Sequence, residues 1–407
     1  MSDYTRTLPA IRWPDGPPRA TYDVVIIGGG GHGLATAYYL ATRHGITNVA
    51  VLEADYIASG NTGRNTTIIR ANYGIPEAIR FYQHSLELYQ RLEEEVGAAI
   101  LHETKGIIWL AHTETAMRTE RARCAMNQAA GGKTYMRSPA EIKALVPQLD
   151  LTGGGRYPVL GGSHHVEGAS ARHDRVAWAY AGRASERGVD IFQHTTVTGL
   201  RLDGDGGRVT GVDTTSGPIS AGAVLSAVGG RVTQVAAMAG LRLPVRTHPL
   251  HAFVTNDHAP GALPIILAST ELACYVSQTD RGQMLIGAEF DTQPSYSRQS
   301  SFTALRSYTY KITRLLPFLR DMRILRSWAG ICDISVDSSP IMSVSPVDGF
   351  YLTTGWGTWG FKAIPAGGEG MAELIATGRP PALIAPFTLD RFRRDHVLAD
   401  AGSTGTR

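Results

Sequence analysis

Gly28, Gly30 and Gly33 stand in the spacing Gly-x-Gly-x-x-Gly, and Glu53 follows Gly33 by 20 residues. The first glycine permits a tight turn, the second lets the backbone approach a pyrophosphate, and the third lets a following helix pack on the preceding strand. Unpaired N–H groups at the start of that helix, from Gly31 and His32 onward, would face phosphate oxygens. A carboxylate at the place of Glu53 accepts both ribose hydroxyls and repels a 2′-phosphate. The loop 59–67, with Asn61, Thr62, Arg64 and Thr66, is rich in donors and suited to wrapping a pyrophosphate from outside. Two more glycine segments lie far along the chain. One is Gly229-Gly230 after an apolar run, the other Gly355-Trp356-Gly357-Thr358-Trp359-Gly360-Phe361-Lys362. A nicotinamide dinucleotide would need only the first motif, so three segments built to line one extended cofactor argue for FAD over NAD. A helix starting after Gly360 can direct its positive end at the flavin pyrimidine ring and stabilise the anion formed on reduction.

Several elements must hold these residues in place. The apolar runs 24–27 and 49–52 read as buried strands, with a helix over 34–41 between them. Helices are expected over 75–96, 115–129, 138–146, 171–188 and 301–316, and strands over 105–112, 190–194 and 350–354. Residues 195–202 and 208–214 alternate like a hairpin closed by Asp203-Gly204-Asp205-Gly206-Gly207. Residues 221–230 form a buried strand whose end points back at the cofactor crevice. The glycine-rich stretch 152–168 reads as a crossing between domains, and 243–326 as a separate sheet of alternating polarity. A last helix is expected over 367–376 and a mobile tail beyond Leu398.

The chain has 407 residues, enough for two or three compact units. Its net charge of +3 comes from charges of both signs scattered along the sequence, which excludes a basic stripe for nucleic acid or anionic lipid. Only five lysines occur, at 105, 133, 143, 311 and 362, so Lys362 inside a glycine-rich motif stands out. Cys124, Cys274 and Cys332 are too few and too far apart for a disulfide framework or a Cys-x-x-Cys site, and fit a reducing cytoplasm. Residues 1–20 lack the apolar core of a secretory signal, and no apolar run is long enough to span a membrane. That arm lies on this subunit, lies on a partner, or is disordered. The adjacent His164 and His165 have no further ligands at metal spacing, and no metal site is expected. His248 and His251 either approach a flavin or pack in a core.

Over residues 20–390 the chain resembles the amine-oxidising flavoproteins that include D-amino acid oxidase, glycine oxidase and sarcosine oxidase. Among these it is most similar to the beta subunits of bacterial heterotetrameric sarcosine oxidases. The resemblance rests on residues 28–33 with Glu53, on Thr67-Ile68-Ile69-Arg70, on Trp328-Ala329-Gly330, and on Asp348-Gly349-Phe350 through Gly360-Phe361-Lys362. Ser170-Ala171-Arg172-His173-Asp174 separates the heterotetrameric from the monomeric members. The fold expected is α/β. A Rossmann-like FAD-binding domain with a central parallel sheet is assembled from 21–103, 165–242 and 340–390. A substrate domain, with an antiparallel or mixed sheet covering the flavin, comes from 104–164 and 243–339. An N-terminal arm (1–20) and a C-terminal tail (391–407) flank them.

The resemblance implies that Arg70 and Lys362 hold a substrate carboxylate, Arg by two parallel bonds and Lys as a point charge. It places Val197, Gly229, Gly355, Gly357, Gly360 and Lys362 with the opening motif, its acid and the polar loop as the FAD-binding set. His173, by its surroundings alone a helix-start residue with a solvated ring, is implied to carry a second flavin, FMN, covalently through its imidazole. Arg172 beside it would offset flavin or phosphate charge. Cys332 is followed by Asp333-Ile334-Ser335 and not by the Met-Tyr-Thr of monomeric enzymes with covalent FAD, so noncovalent FAD is expected. Leu285 stands near the place of their oxygen-activating lysine. The activity implied is oxidative demethylation of sarcosine at FAD, with electrons passing to FMN and then to O2. The products are H2O2, glycine, and formaldehyde or 5,10-methylenetetrahydrofolate. Implied partners are alpha, gamma and delta subunits, with NAD and tetrahydrofolate on the partners. An alternative in the same class is a subunit of a dehydrogenase for L-proline or another amino acid. A subunit that only holds flavin for an oxidising partner is an alternative in another class.

Overall fold

The computed structural model describes residues 7–399. Two eight-stranded sheets and one three-stranded sheet organise them. At the centre of the first sheet five parallel strands run in the order Asp190–Phe192, Val49–Leu52, Thr21–Ile27, Gly217–Ser226 and Phe350–Thr354. Strands Val197–Leu202 and Val209–Thr214 continue it as an antiparallel hairpin, and Ile341–Val344 pairs with Phe350–Thr354. Val24 to Ile27 are all buried, as a parallel strand covered on both faces requires. Alternation sends Val24 and Ile26 to the core under the helix Gly31–Arg43, and Val25 and Ile27 to the core on the opposite face.

The helix Gly31–Arg43 starts at the glycine turn, three residues before the expected 34–41. Against it lies the helix Ile364–Thr377, preceded by a 3-10 turn Phe361–Ala363. This helix begins earlier than the expected 367–376, because Pro365 in its first turn loses no intrahelical bond there.

The second sheet has the order Ile324–Ser335, Val245–Asp257, Gln283–Phe290, Cys274–Gln278, Ile266–Ser269, Ile107–Ala111, Gly161–His165, Thr134–Arg137. It is antiparallel except where Ile266–Ser269 runs parallel to Ile107–Ala111. The stretch 152–168, read as a domain crossing, thus contains a strand of this sheet. Its Gly162 has room only for a hydrogen, since a Cβ there would lie 2.5 Å from the Trp109 carbonyl oxygen. The three-stranded sheet joins Ile68–Ile69 and Glu103–Thr104 to Ala169–Ser170.

Of the N-terminal arm, residues 7–20 are described, and they lie on this chain's own surface. The Arg12 N–H donates to Ser185 Oγ at 3.0 Å, and Trp13 meets Trp178 edge-on, both on the helix His173–Glu186. At the other end Arg391 makes a buried bidentate pair with Asp337, which also accepts the Leu398 N–H at 2.9 Å. Residues 1–6 and the tail 400–407 lie outside the described residues. Among the described residues no helix is long and apolar enough to cross a membrane.

Candidate active site

A cavity of about 750 Å³ runs between the two large sheets, within the usual size of ligand and cofactor sites. Gly28, Gly30, Gly31 and His32 form its floor at the start of the first helix, with Glu53 at one end. Gly33 lies behind the wall: a Cβ there would sit 2.1 Å from the Gly28 carbonyl oxygen, so the helix could not approach the turn. Glu53 accepts the N–H of Gly29 at 2.9 Å and of Asp55 at 3.0 Å, which fixes its carboxylate at the strand end. Val197, Gly229, Gly357 and Gly360 also line the cavity, whereas Gly355 stands behind it with φ +69° against Ser335 and Ser339.

The polar loop covers the helix start, and its side chains are largely spent on fastening it. Thr62 Oγ1 accepts the Gly31 N–H at 3.0 Å. Asn61 reads the backbone of Ile331 in the second sheet, donating at 2.6 Å and accepting at 2.9 Å. Arg64 donates to the carbonyls of Ser59 and Gly60, and Thr66 donates to the Tyr275 hydroxyl at 2.7 Å. His32 stacks on Trp356 with centroids 4.1 Å apart, and its Nε2 donates to the Gly360 carbonyl at 3.0 Å. Burial pushes this imidazole down to about 3, so it is neutral and ties the two helix starts together.

Arg70 and Lys362, which are 292 positions apart in sequence, both line the cavity wall. Arg70 is 5% exposed. Its Nη1 donates to the Asn72 carbonyl and side-chain oxygens, both at 3.1 Å, and its guanidinium lies over the rings of Tyr73 and Trp109. Lys362 Nζ donates to the Thr358 carbonyl at 2.8 Å. Burial first, and Arg70 second, push its ammonium well below the ordinary lysine range. Two buried cations on one wall, held by neutral oxygens, are arranged to receive an anion. Cys332 also lines the cavity, and burial pushes its thiol well above the ordinary range. Leu285 does not line it. His251 does, with Nε2 2.8 Å from Asp291 Oδ1, while His248 Nδ1 donates to the Asp291 carbonyl.

His173 and Arg172 lie outside this cavity. His173 opens the helix His173–Glu186, where burial lowers its pKa and Nδ1 is buried without a hydrogen-bond partner among the described residues. Arg172 is held by Asp174 at 3.1 and 2.9 Å, with Asp280 at 3.9 Å, so it is a weaker counter-charge than its position suggests. A short path joins the two places. Ile68 lines the cavity and pairs with Ser170, three residues before His173.

The composition of the cavity wall explains what sequence reasoning missed. Trp109, Tyr275 and Arg298 line it from the second sheet and the loop after it, and no motif marks them. Alternation along 107–111 gave the only signal available for Trp109, since Ile107 and Trp109 share the face opposite Ile108 and Leu110.

The family pattern described as FAD dependent oxidoreductase matches residues 23–374. The chain belongs to the FAD dependent oxidoreductase family. It is 41% identical over 403 residues to the sarcosine oxidase subunit beta of Arthrobacter sp, covering 99% of each chain. It is 42% identical to the subunit of the same name from Rhizobium meliloti, over 97% of this chain and 93% of that one. Among solved structures, L-proline dehydrogenase from P. horikoshii superposes with a TM-score of 0.87 at 28% identity, covering 93% of this chain and all (100%) of that one. The α/β fold with its FAD layer and mixed-sheet layer is that of this family, and the chain is a flavin-dependent oxidoreductase acting on amines.

The cavity fits FAD on its own residues. Its floor is a glycine turn where side chains would collide, its lining includes the carboxylate of Glu53, and the 3-10 turn at Phe361–Ala363 starts at its wall.

Proposed function

We propose that this chain is the beta subunit of a sarcosine oxidase, oxidising the N-methyl carbon of sarcosine. The observation that carries this reading is the pair Arg70 and Lys362 on one wall of the FAD cavity. The Arg70 fork and the Lys362 ammonium hold the substrate carboxylate between them. The same two cations disfavour the protonated form of the substrate amine, so the molecule is bound with the nitrogen lone pair available. Burial of this end excludes water, which strengthens both contacts. FAD, when bound noncovalently, supplies the acceptor for the two electrons and the hydrogen that leave the methyl carbon. The resulting imine takes up water to give glycine and formaldehyde, or passes its one-carbon unit to tetrahydrofolate on a partner subunit.

The proposal includes FMN joined to the His173 imidazole. Burial favours the neutral ring, the form that would bond the 8-methyl carbon of an oxidised flavin through nitrogen, with the C–H proton lost and the electron pair left on the flavin for O2 to take up, and its Nδ1 has no hydrogen-bond partner among the described residues. The start of the helix at His173 adds a partial positive charge for an anionic flavin. The FMN would return the electrons to O2 as H2O2. The name subunit beta carried by these relatives supports a complex with other subunits, which the proposal takes to be alpha, gamma and delta chains. The three cysteines, Cys124, Cys274 and Cys332, are buried and far apart in sequence, which fits a cytoplasmic enzyme.

Purified complex mixed anaerobically with sarcosine should lose its visible flavin absorbance, and should keep it with L-proline. The opposite pattern would favour a second reading, a proline dehydrogenase subunit, for which the superposition on L-proline dehydrogenase speaks. After acid precipitation FAD should be found in the supernatant, with FMN on the chain.

A further inference from the structure

Trp109 stands on the strand Ile107–Ala111 with its ring on the cavity wall, 7% exposed. The guanidinium carbons of Arg70 and Arg123 each lie 5.0 Å from the centre of its rings. Tyr73 adds a second aromatic face to Arg70 at 4.2 Å. Behind the indole, Arg123 pairs with Glu120 at 3.0 Å within the helix Glu114–Ala129, both nearly fully buried. Ser163, the ladder neighbour of Trp109, donates to that same carboxylate. The indole is therefore fixed from behind by an ion pair and from the side by its strand. It offers Arg70 a rigid π face in a place with little water.

A cation stripped of water is stabilised by a ring face, most strongly by indole. Among the described residues the guanidinium of Arg70 has only neutral hydrogen-bond acceptors, both on Asn72, so the two rings define its plane and direct its remaining N–H edge. We infer that Trp109 is a positioning residue for carboxylate binding, holding the Arg70 guanidinium in the plane that receives the anion. The inference rests on the carboxylate role proposed for Arg70 and adds a residue that touches the cation from the second sheet.

The test uses the purified holoenzyme complex and acetate, a carboxylate without an oxidisable amine, read by perturbation of the flavin spectrum. Trp109→Leu should raise the acetate Kd about tenfold. Trp109→Phe keeps a weaker ring face and should raise it two- to threefold, about. In both variants FAD content and the limiting rate of anaerobic flavin reduction by sarcosine should stay within about twofold of wild type, while KM follows Kd. If Trp109→Leu fails to assemble, Trp109→Met is read in its place. An unchanged Kd in Trp109→Leu overturns the inference, as does a Trp109→Phe variant as weak as Trp109→Leu. Arg70→Ala separates the two levels. If it leaves acetate binding intact, the carboxylate role of Arg70 fails. If it abolishes binding while Trp109→Leu does not weaken it, only the role of Trp109 fails.

Discussion

Lys362 is a buried lysine whose ammonium donates to a backbone carbonyl and feels the charge of Arg70. Both influences favour loss of its proton, and an arriving carboxylate reverses them. Below its depressed pKa the lysine is charged and attracts the anion; as pH rises through that pKa the charge and the attraction are lost. Acetate should therefore bind best at lower pH, with Kd rising at most about tenfold per pH unit above the transition. Lys362→Arg stays charged and should flatten this profile in flavin-perturbation titrations. Parallel profiles for wild type and variant would show that Lys362 does not contribute the charge. Lys362 drew notice in the sequence because it is one of five lysines and lies in a glycine-rich segment. Trp109 drew none, since its work depends on two arginines supplied by other elements.

The first and last helices meet through positions where side chains are almost absent. A Cβ at Gly31 would fall 2.3 Å from Ile364 Cδ1, and one at Gly368 would fall 2.5 Å from Ala35 Cβ. Gly33 is tighter still, because the obstacle is the Gly28 backbone oxygen and not a flexible side chain. Gly33→Ala should lower stability by about 1–3 kcal/mol and reduce bound FAD, measured by thermal unfolding and by flavin released per chain. Retained FAD and an unchanged Tm would remove the packing role. The opening strand, glycine turn, helix and acid were legible because all the spacing lies within one short segment. The contact of Gly31 with Ile364 was not, since it joins segments more than three hundred positions apart. The strand Gly161–His165 was hidden by its own composition, because two glycines and two histidines look like a loop. It is a strand because its neighbours on both sides supply the ladder.

Across the whole molecule, buried histidines tie distant parts together while neutral. His32 bridges to Gly360, and His165 accepts the Ala71 N–H at 3.3 Å beside Arg70. Burial lowers both to about 3 from 6.5. The unfolded chain therefore takes up protons below pH 6.5 that the folded chain refuses, so stability is full above that value and falls as pH drops toward 3. Each should cost about 2 kcal/mol by about pH 5. A pH series of Tm should show this decline, and it should be shallower in His32→Asn. The C-terminal clamp is independent of it. Arg391→Ala leaves Asp337 buried and unpaired and should cost about 3–5 kcal/mol in thermal or denaturant unfolding. The division into an FAD layer and a mixed sheet followed from periodicity together with the family resemblance. The path from the cavity to His173 depends on the three-stranded sheet, whose two-residue strands carry no periodicity to read. In the proposed reaction an amino acid carboxylate is gripped at Arg70 while the N-methyl carbon is oxidised. An anaerobic reductive titration of the complex with sarcosine, comparing wild type with Arg70→Ala, tests this most directly. The expected result is bleaching of wild-type flavin and a requirement for about a hundredfold more sarcosine in the variant. Identical titration curves would contradict it.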